Sequence, residues 1–345
     1  MIATAATKKL TSRQILPRYV LTTPSGKRIE LSVTNGDHRL NPVVLGTGIM
    51  STYGIFELLL NRTQSWREAI SDFGFPIVAF NWPGHESAPS KLDRDYHFDH
   101  LVDDVFPTVI EFVSNLFGRK VNYLGHSMGG LVVEAALALY PELQQYINTI
   151  TALGSPTRLL PQSWLTDKTL TFGSQFQGKM NKWGLDKHNP VDSIRILLNN
   201  AGCLPGSIVY SIVMLKALGG DEIDPSINRK ELAKVIRSLT PGERLSFLTF
   251  RACNGLHRLD RSFDYRKNFE NIKLPIRLVA AENDIFISPA DMAEDIALYG
   301  TPEEQKQFVV MKKYGHVQLI LGSNSIEEVL EPTVRELWLP YAKAA

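Results

Sequence analysis

The sequence predicts an α/β fold, in which a mostly parallel β-sheet is flanked by helices. Short apolar runs rich in β-branched residues, typical of strands buried on both faces, alternate with helical periods through both ends of the chain. The alternation lapses between about residues 157 and 270, where mainly helical stretches stand between two of the strands. We therefore expect a sheet domain formed by residues 1–156 and 271–345, with residues 157–270 inserted as a cap.

The strands are predicted from their residue patterns, in chain order. The runs RYVLTTPSG and RIELSVTNG alternate apolar and polar residues and end in turn signals, which predicts a hairpin. The later runs are more continuously apolar, as expected of strands that are buried on both faces. These strands are predicted in NPVVLGTG, FPIVAFNWPGH, KVNYLGHS, INTITALGSP, LPIRLVAAEND and EQKQFVVMKKYGH.

The helices are predicted from apolar residues that recur every three or four positions. In FDHLVDDVFPTVIEFVSNLF these residues form one stripe, which comprises Leu101, Val105, Val109, Phe112 and Leu116. Pro107 is expected to mark the start of a second helical segment there, because its ring disfavours an unbroken helix. Further helices are predicted in GGLVVEAALALYPEL, PADMAEDIALY and SIEEVLEPTVRELWLPYAKA.

The composition is that of an ordinary soluble globular protein. Of the 345 residues, 44% are hydrophobic and 21% are charged, and 37 basic residues nearly balance 36 acidic ones. The resulting net charge of +1 gives no general reason to expect a nucleic-acid partner. The first residues contain no apolar core of signal-peptide length, and no run reaches the roughly 18–20 apolar residues of a membrane-spanning helix. We therefore expect a cytoplasmic protein, whose oligomeric state stays open.

A short segment between a predicted strand and a predicted helix carries the chemistry. KVNYLGHSMGGLVVEAAL reads as strand, G-x-S-x-G and helix, with Ser127 between Gly125 and Gly129. The turn is expected to present the serine at the carboxyl edge of the sheet, where side chains on the two glycines would collide with neighbouring backbone. The following helix would point free N–H groups toward developing negative charge. This context predicts a nucleophilic serine.

With this motif the chain resembles the α/β-hydrolase superfamily, and the resemblance covers nearly the whole chain outside the cap. It implies a triad in the order serine, acid, histidine. Of the eight histidines, only His316 follows the late strand, in KKYGHVQLI, and it is predicted as the general base. The family's G-E-x-D pattern aligns its acid with Asp284, and Glu282 is the alternative. Asp291 and Asp295 are expected to be exposed helix residues.

The resemblance also implies an oxyanion hole and two structural histidines. One backbone donor would be the N–H of Met128 and the other that of Ile49, with Met50 as the alternative to Ile49. The family usually has His-Gly-X in the second loop, whereas this chain has threonine before the glycine. His126, beside the serine, is expected to pack away from the substrate, and His85, in NWPGHESAPS, to be structural.

The serine at the centre of the motif indicates acyl transfer, because the family branches with other chemistry carry aspartate or cysteine there. The predicted function is hydrolysis of a carboxylic ester of a small molecule, with no cofactor and no metal. An acyltransferase, a thioesterase and a non-catalytic small-molecule binding protein remain as alternatives. The apolar run Leu204–Leu218 of the cap predicts a pocket for a lipophilic acyl group, lined by Ile212 and Leu215. The alternative is that this run forms only the core of the cap.

Overall fold

An eight-stranded sheet organises the described part of the chain. The computed structural model describes residues 18–85, 96–155, 157–158, 223–236, 255–284 and 286–342, together with positions 243, 245, 246, 249, 250 and 253. The strands are β1 Arg18–Thr22, β2 Arg28–Thr34, β3 Val43–Gly46, β4 Ile77–Phe80, β5 Val121–His126, β6 Ile147–Leu153, β7 Ile276–Ala281 and β8 Lys306–Met311.

The strand order is β1-β2-β4-β3-β5-β6-β7-β8. Strands β1 and β2 form the predicted hairpin, and β2 is also antiparallel to β4. All other pairings in this sheet are parallel. The prediction of a mostly parallel sheet is therefore confirmed, with the antiparallel hairpin at one edge.

Helices connect the parallel strands. The longer helices of the described residues are α1 Trp66–Asp72, α2 Phe106–Phe117, α3 Met128–Leu139, α4 Arg229–Val235 and α5 Pro289–Leu298. Shorter helical turns are Tyr53–Glu57, Phe98–His100, Leu101–Val105, Pro141–Tyr146, Arg266–Asn271, Glu303–Gln305, Gln318–Leu321, Ile326–Leu330, Glu331–Thr333, Val334–Trp338 and Leu339–Ala342. Within the described ranges, none of the helices has both the length and the apolar character required to cross a membrane.

The helix before the serine motif follows its prediction except at its end. Pro107 lies in the first turn of α2, and a π-helical turn, Leu101–Val105, precedes this helix. The second helical segment therefore begins at the proline, as predicted. Val109 is fully buried, but Leu116 is 45% exposed. The predicted stripe therefore contacts the core along its first turns and leaves it at Leu116, whereas the neighbouring Phe117 is partly buried against the core.

The core consists of two apolar layers, one on each face of the sheet. Along β5, Tyr123 packs into the layer that contains α2 and α3. Its neighbour Leu124 packs into the layer that contains α1 and the C-terminal helical turns. Both side chains are fully buried. Because successive residues of a strand enter opposite layers, the central strands need apolar residues at nearly every position, and this produces the runs seen in the sequence.

The predicted cap, residues 157–270, lies largely outside the described residues, so the division into two domains stays a prediction. Part of it is described, and there α4 packs against the loop that follows β3. The N–H of Thr52 donates to the carbonyl of Val235 at 2.8 Å, and Ser51 pairs with Ile236 in an antiparallel bridge. The end of α4 therefore lies beside the loop in which the second oxyanion donor is predicted.

Buried carboxyl groups link α3 to α5. Glu134 of α3 is 1% exposed and accepts a hydrogen bond from the Tyr299 hydroxyl at 2.8 Å. Burial raises the pKa of the Glu134 carboxyl well above its ordinary value of 4.5. The expectation that Asp295 is exposed was wrong: it is 2% exposed, because its face of α5 turns toward Arg266, whose Nε lies 2.6 Å from the carboxylate. Asp291 is half-buried.

The raised pKa of Glu134 predicts that this group lowers stability as the pH rises. Below about pH 4.5 the group is protonated in both the folded and the unfolded chain. Above that pH the unfolded chain loses the proton while the folded chain keeps it, so the free energy of unfolding falls by about 1.4 kcal/mol per pH unit. In Glu134→Gln this loss is absent, so we expect its stability relative to the native protein to rise with pH from about pH 4.5 until the carboxyl of the folded protein begins to ionise.

Denaturant unfolding at several pH values measures this difference. The matched control is Glu142→Gln, which changes an exposed carboxylate in the helical turn Pro141–Tyr146 that follows α3. Its stability relative to the native protein should stay constant over the same pH range. A constant difference for Glu134→Gln would show that Glu134 is ionised in the folded protein.

Candidate active site

The predicted triad residues follow three strands at the same edge of the sheet. Ser127 comes directly after β5, Asp284 follows β7 and His316 follows β8. These strands are all parallel, so their carboxyl ends meet along one edge. In open α/β sheets this edge is where ligands usually bind.

Ser127 has a backbone conformation that side chains rarely adopt, with φ 53° and ψ −118°. The turn that imposes it is tightly enclosed by backbone. A Cβ atom on Gly125 would lie 2.4 Å from the backbone of Gly129 and Gly130, and one on Gly129 would lie 2.5 Å from the carbonyl oxygen of Gly46. Both contacts are impossible for a real side chain. The need for glycine on either side of the serine, expected from the sequence, therefore has a direct steric cause.

Helix α3 begins immediately after the serine, at Met128. The carbonyl of Ser127 accepts hydrogen bonds from the N–H groups of Gly130 and Leu131, at 3.0 and 3.2 Å. The N–H of Ser127 donates to the carbonyl of Leu153 in β6 at 2.8 Å. The serine is therefore held between a strand and the N-terminus of a helix, where the helix dipole favours negative charge.

The acid and the histidine are in direct contact. Nδ1 of His316 lies 2.7 Å from Oδ2 of Asp284, and the two side chains are 6% and 1% exposed. The other carboxylate oxygen of Asp284 accepts a hydrogen bond from the N–H of Phe286 at 2.8 Å. The alternative acid, Glu282, is exposed and accepts a bond from the N–H of Lys313 instead. The geometry thus brings Asp284, rather than Glu282, to the histidine.

His126 holds the backbone of His316. Its Nε2 lies 3.1 Å from the His316 carbonyl, to which it can only donate, and the two rings lie 4.9 Å apart. Burial, reinforced by the neighbouring His316, lowers the pKa of His126 to about 3, so the ring stays neutral. The expectation of a structural role therefore has a physical basis. His126 also lines the pocket described below, contrary to the expectation that it packs away from the substrate.

The loop after β3, residues 47–51, passes close to the serine. A Cβ on Gly48 would lie 3.3 Å from Cβ of Ser127 and 3.0 Å from Nδ1 of His126, so a side chain here would require these neighbours to move by a few tenths of an ångström. Met50 has φ 63°, another conformation rare for a side-chain-bearing residue. Ile49 and Met50 both line the pocket, so the choice between them as second oxyanion donor remains open.

A largely apolar pocket contains Ser127 and His316 in its wall. Apolar side chains from several elements line it, namely Phe98, Leu101, Leu131, Leu232, Phe250 and Leu321. The polar side chains in the wall, besides Ser127 and the two histidines, are Ser51, Glu243 and Ser246. Pockets of this composition bind apolar groups and fix their orientation through a few polar contacts.

The sequence analysis located the reactive end of this pocket but not its walls. Ile212 and Leu215, predicted to line it, lie outside the described residues. Leu131 lies one helical turn after the serine, and from that spacing alone it could have been predicted to line the pocket. Leu232 could not, because nothing in its local sequence indicates that the end of α4 packs beside the loop after β3. Within the described part of the chain, no cluster of three acidic, histidine or cysteine side chains could hold a metal ion.

Comparisons with known proteins agree with this architecture. Residues 42–323 match the model of a family described as having the alpha/beta hydrolase fold. Human lipase member N is 22% identical over 249 residues, which cover 65% of this chain. The matched part of the chain spans 62% of the length of that lipase.

Solved structures share the fold over nearly the whole chain. A thermophilic esterase from Thermogutta terrifontis has a TM-score of 0.57 at 17% identity, covering 93% of this chain and 99% of its own. An N-formylmaleamic acid deformylase from Pseudomonas putida S16 has a TM-score of 0.56 at 18% identity, covering 91% and 100%. At such identities the likeness extends to the fold alone, and proteins named for different reactions share it.

Proposed function

Because the chain belongs to the α/β-hydrolase fold family, we propose that it is a serine hydrolase that cleaves carboxylic esters with lipophilic acyl groups. The observation that carries the proposal is the 2.7 Å contact of Asp284 with His316, which lines the same apolar pocket as Ser127. The strained backbone of Ser127 at the start of α3 supports it, since this is how an α/β hydrolase presents its nucleophile.

In the proposed mechanism, the carboxylate of Asp284 accepts a hydrogen bond from Nδ1 of His316. This leaves Nε2 without a proton, as a base directed at the pocket. The Ser127 hydroxyl gives its proton to Nε2 while its oxygen bonds to the ester carbonyl carbon. The tetrahedral intermediate then expels the alcohol, which takes the proton from His316, and the acyl group remains on the serine.

The second half of the reaction repeats these steps with water. Water gives a proton to His316 and its oxygen attacks the acyl carbon, after which Ser127 leaves and takes the proton back. The negative oxygen of both intermediates would accept hydrogen bonds from the N–H of Met128 and from that of Ile49 or Met50. The approach of residues 47–51 to Ser127 supports this assignment.

The apolar walls of the pocket support a lipophilic acyl group. If they bind the acyl chain, each buried methylene adds up to about 0.8 kcal/mol. For p-nitrophenyl esters we therefore expect kcat/KM to rise with chain length until the pocket is filled. Replacing Leu232, which is 1% exposed and lines the pocket, with asparagine should penalise long esters more than acetate.

The matched control is Leu245→Asn, since this leucine is 49% exposed and does not line the pocket. In this variant kcat/KM should be unchanged for esters of every chain length. An equal loss for every ester in Leu232→Asn would indicate a damaged fold. No loss in that variant would mean that the acyl chain lies elsewhere.

The same ester panel tests the acyl acceptor. Run with and without added alcohols, it separates a hydrolase, which releases the free acid, from an acyltransferase, which forms a new ester from the same acyl-serine. Thioester analogues of the best substrate extend the comparison to thioesterase activity. A protein that turned over no ester or thioester and failed to react with a fluorophosphonate would contradict the proposal.

A further inference from the structure

A buried histidine contacts a buried glutamate that lies in the wall of the pocket. Nε2 of His85 lies 3.3 Å from Oε1 of Glu243, and each side chain is 1% exposed. His85 follows β4, whereas Glu243 belongs to the segment predicted as cap and lines the pocket. Burial of a carboxylate is unfavourable unless partners balance its charge, and the imidazole of His85 is close enough to be one of them.

The contacts of His85 determine where its protons lie. Its Nδ1 is 3.2 Å from the backbone carbonyl of Ser51, which can only accept a hydrogen bond. Nδ1 therefore carries a proton. The other ring nitrogen, Nε2, faces the carboxylate of Glu243 at 3.3 Å.

The carbonyl of Ser51 belongs to the oxyanion loop, residues 47–51. Other bonds brace the same loop: the Ser51 hydroxyl donates to the carbonyl of Gly48 at 3.0 Å, and the indole of Trp82 donates to that of Thr47 at 2.9 Å. The positive φ of Met50 is unfavourable for a residue with a side chain and persists only where its surroundings hold it. The bond from His85 holds the loop immediately after this strained residue.

We propose that His85 and Glu243 are positioning residues that hold the oxyanion loop against Ser127 through the Ser51 carbonyl. The inference rests on the proposed function, because the loop matters for catalysis only if it supplies an oxyanion donor. Glu243 orients the ring of His85, and His85 anchors the loop. A residue of the predicted cap thereby contributes to the geometry of the oxyanion hole.

The test compares variants that keep or remove each contact. His85→Leu removes one of two side-chain donors to the Ser51 carbonyl and leaves the Thr47 hydroxyl, which lies 3.3 Å from that oxygen, whereas the amide of His85→Asn can take the place of Nδ1. We expect kcat to fall about 10- to 100-fold in His85→Leu, less than the loss of a whole oxyanion donor, with little change in KM. His85→Asn should recover most of that loss.

Glu243→Leu should lower kcat in the same way, and Glu243→Gln by less. The double variant His85→Leu/Glu243→Leu should be no slower than the slower single variant, because both changes release the same loop. The matched control is Glu231→Gln, which alters an exposed carboxylate on α4 and should leave kcat unchanged.

Hydrogen exchange of the peptide that covers residues 43–58 separates this inference from the proposed function. Exchange should increase there in His85→Leu, and not in a peptide from β6, whether or not the protein cleaves esters. Faster exchange without ester turnover in the native protein would support the anchoring and contradict the ester hydrolase. Normal kcat and normal exchange in His85→Leu would overturn the inference. It would also be overturned if His85→Asn failed to restore kcat and exchange were raised throughout the protein.

Discussion

Replacing Ser127 with alanine is expected to abolish covalent labelling by a fluorophosphonate probe and to lower ester turnover by on the order of 10⁶-fold. The reason is that the proposed acyl-enzyme bond forms to the serine oxygen, and no other group in the turn can replace it. Intact-mass spectrometry measures the labelling, and hydrolysis of a p-nitrophenyl ester measures the turnover. Circular dichroism should show an unchanged fold, because alanine fits the space of serine.

The matched control is Ser155→Ala. Ser155 is also buried, at the carboxyl edge of the same sheet just after β6, but its hydroxyl faces the Leu153 carbonyl and does not line the pocket. This variant should be labelled like the native protein. If labelling instead survived in Ser127→Ala, the nucleophile would be another residue and the proposed mechanism would fail.

The second large effect is expected for Asp284→Asn, which should lower kcat by roughly 10³–10⁴-fold while the protein remains folded. An asparagine can donate to Nδ1 of His316, which would shift the ring proton to Nε2 and leave no base facing the serine. The negative charge that stabilises the imidazolium would also be lost. Steady-state kinetics on the best ester of the panel measure the change.

Glu282→Gln is the control for this prediction, because it removes a carboxylate only two residues away. Glu282 is exposed and bonds to the N–H of Lys313, at a distance from the histidine side chain. We expect its turnover to stay within a few-fold of the native value. A large loss in Glu282→Gln with a mild one in Asp284→Asn would reverse the assignment of the acid.

Many elements of the fold were predictable because they depend on local patterns. Central strands such as β5 are apolar at successive positions since both faces are covered, and this distinguishes them from the alternating strands of the hairpin. Pro107 divides the helical segment before the serine motif as its ring chemistry requires. The exposure of Leu116 and the burial of Asp295 were not predictable, because both depend on which neighbouring element covers a helix face.

For the candidate site, the sequence by itself determined the serine turn. The two glycines of G-x-S-x-G are required because a side chain at either position would strike neighbouring backbone. The distances at Gly125 and Gly129 show this cause directly. With the triad order that the family resemblance implies, the succession of strands also limited the predicted general base to His316. Both conclusions depend on interactions within a few residues or on the succession of strands.

Only the tertiary structure decided between two carboxylates that lie two positions apart. Glu282 and Asp284 both carry a carboxylate and follow β7 within three residues, but the turn directs only Asp284 toward His316. The pairing of His85 with Glu243 and the position of Leu232 in the pocket wall were likewise beyond the sequence. These contacts join segments more than one hundred residues apart, and no local pattern records a distance in space between them.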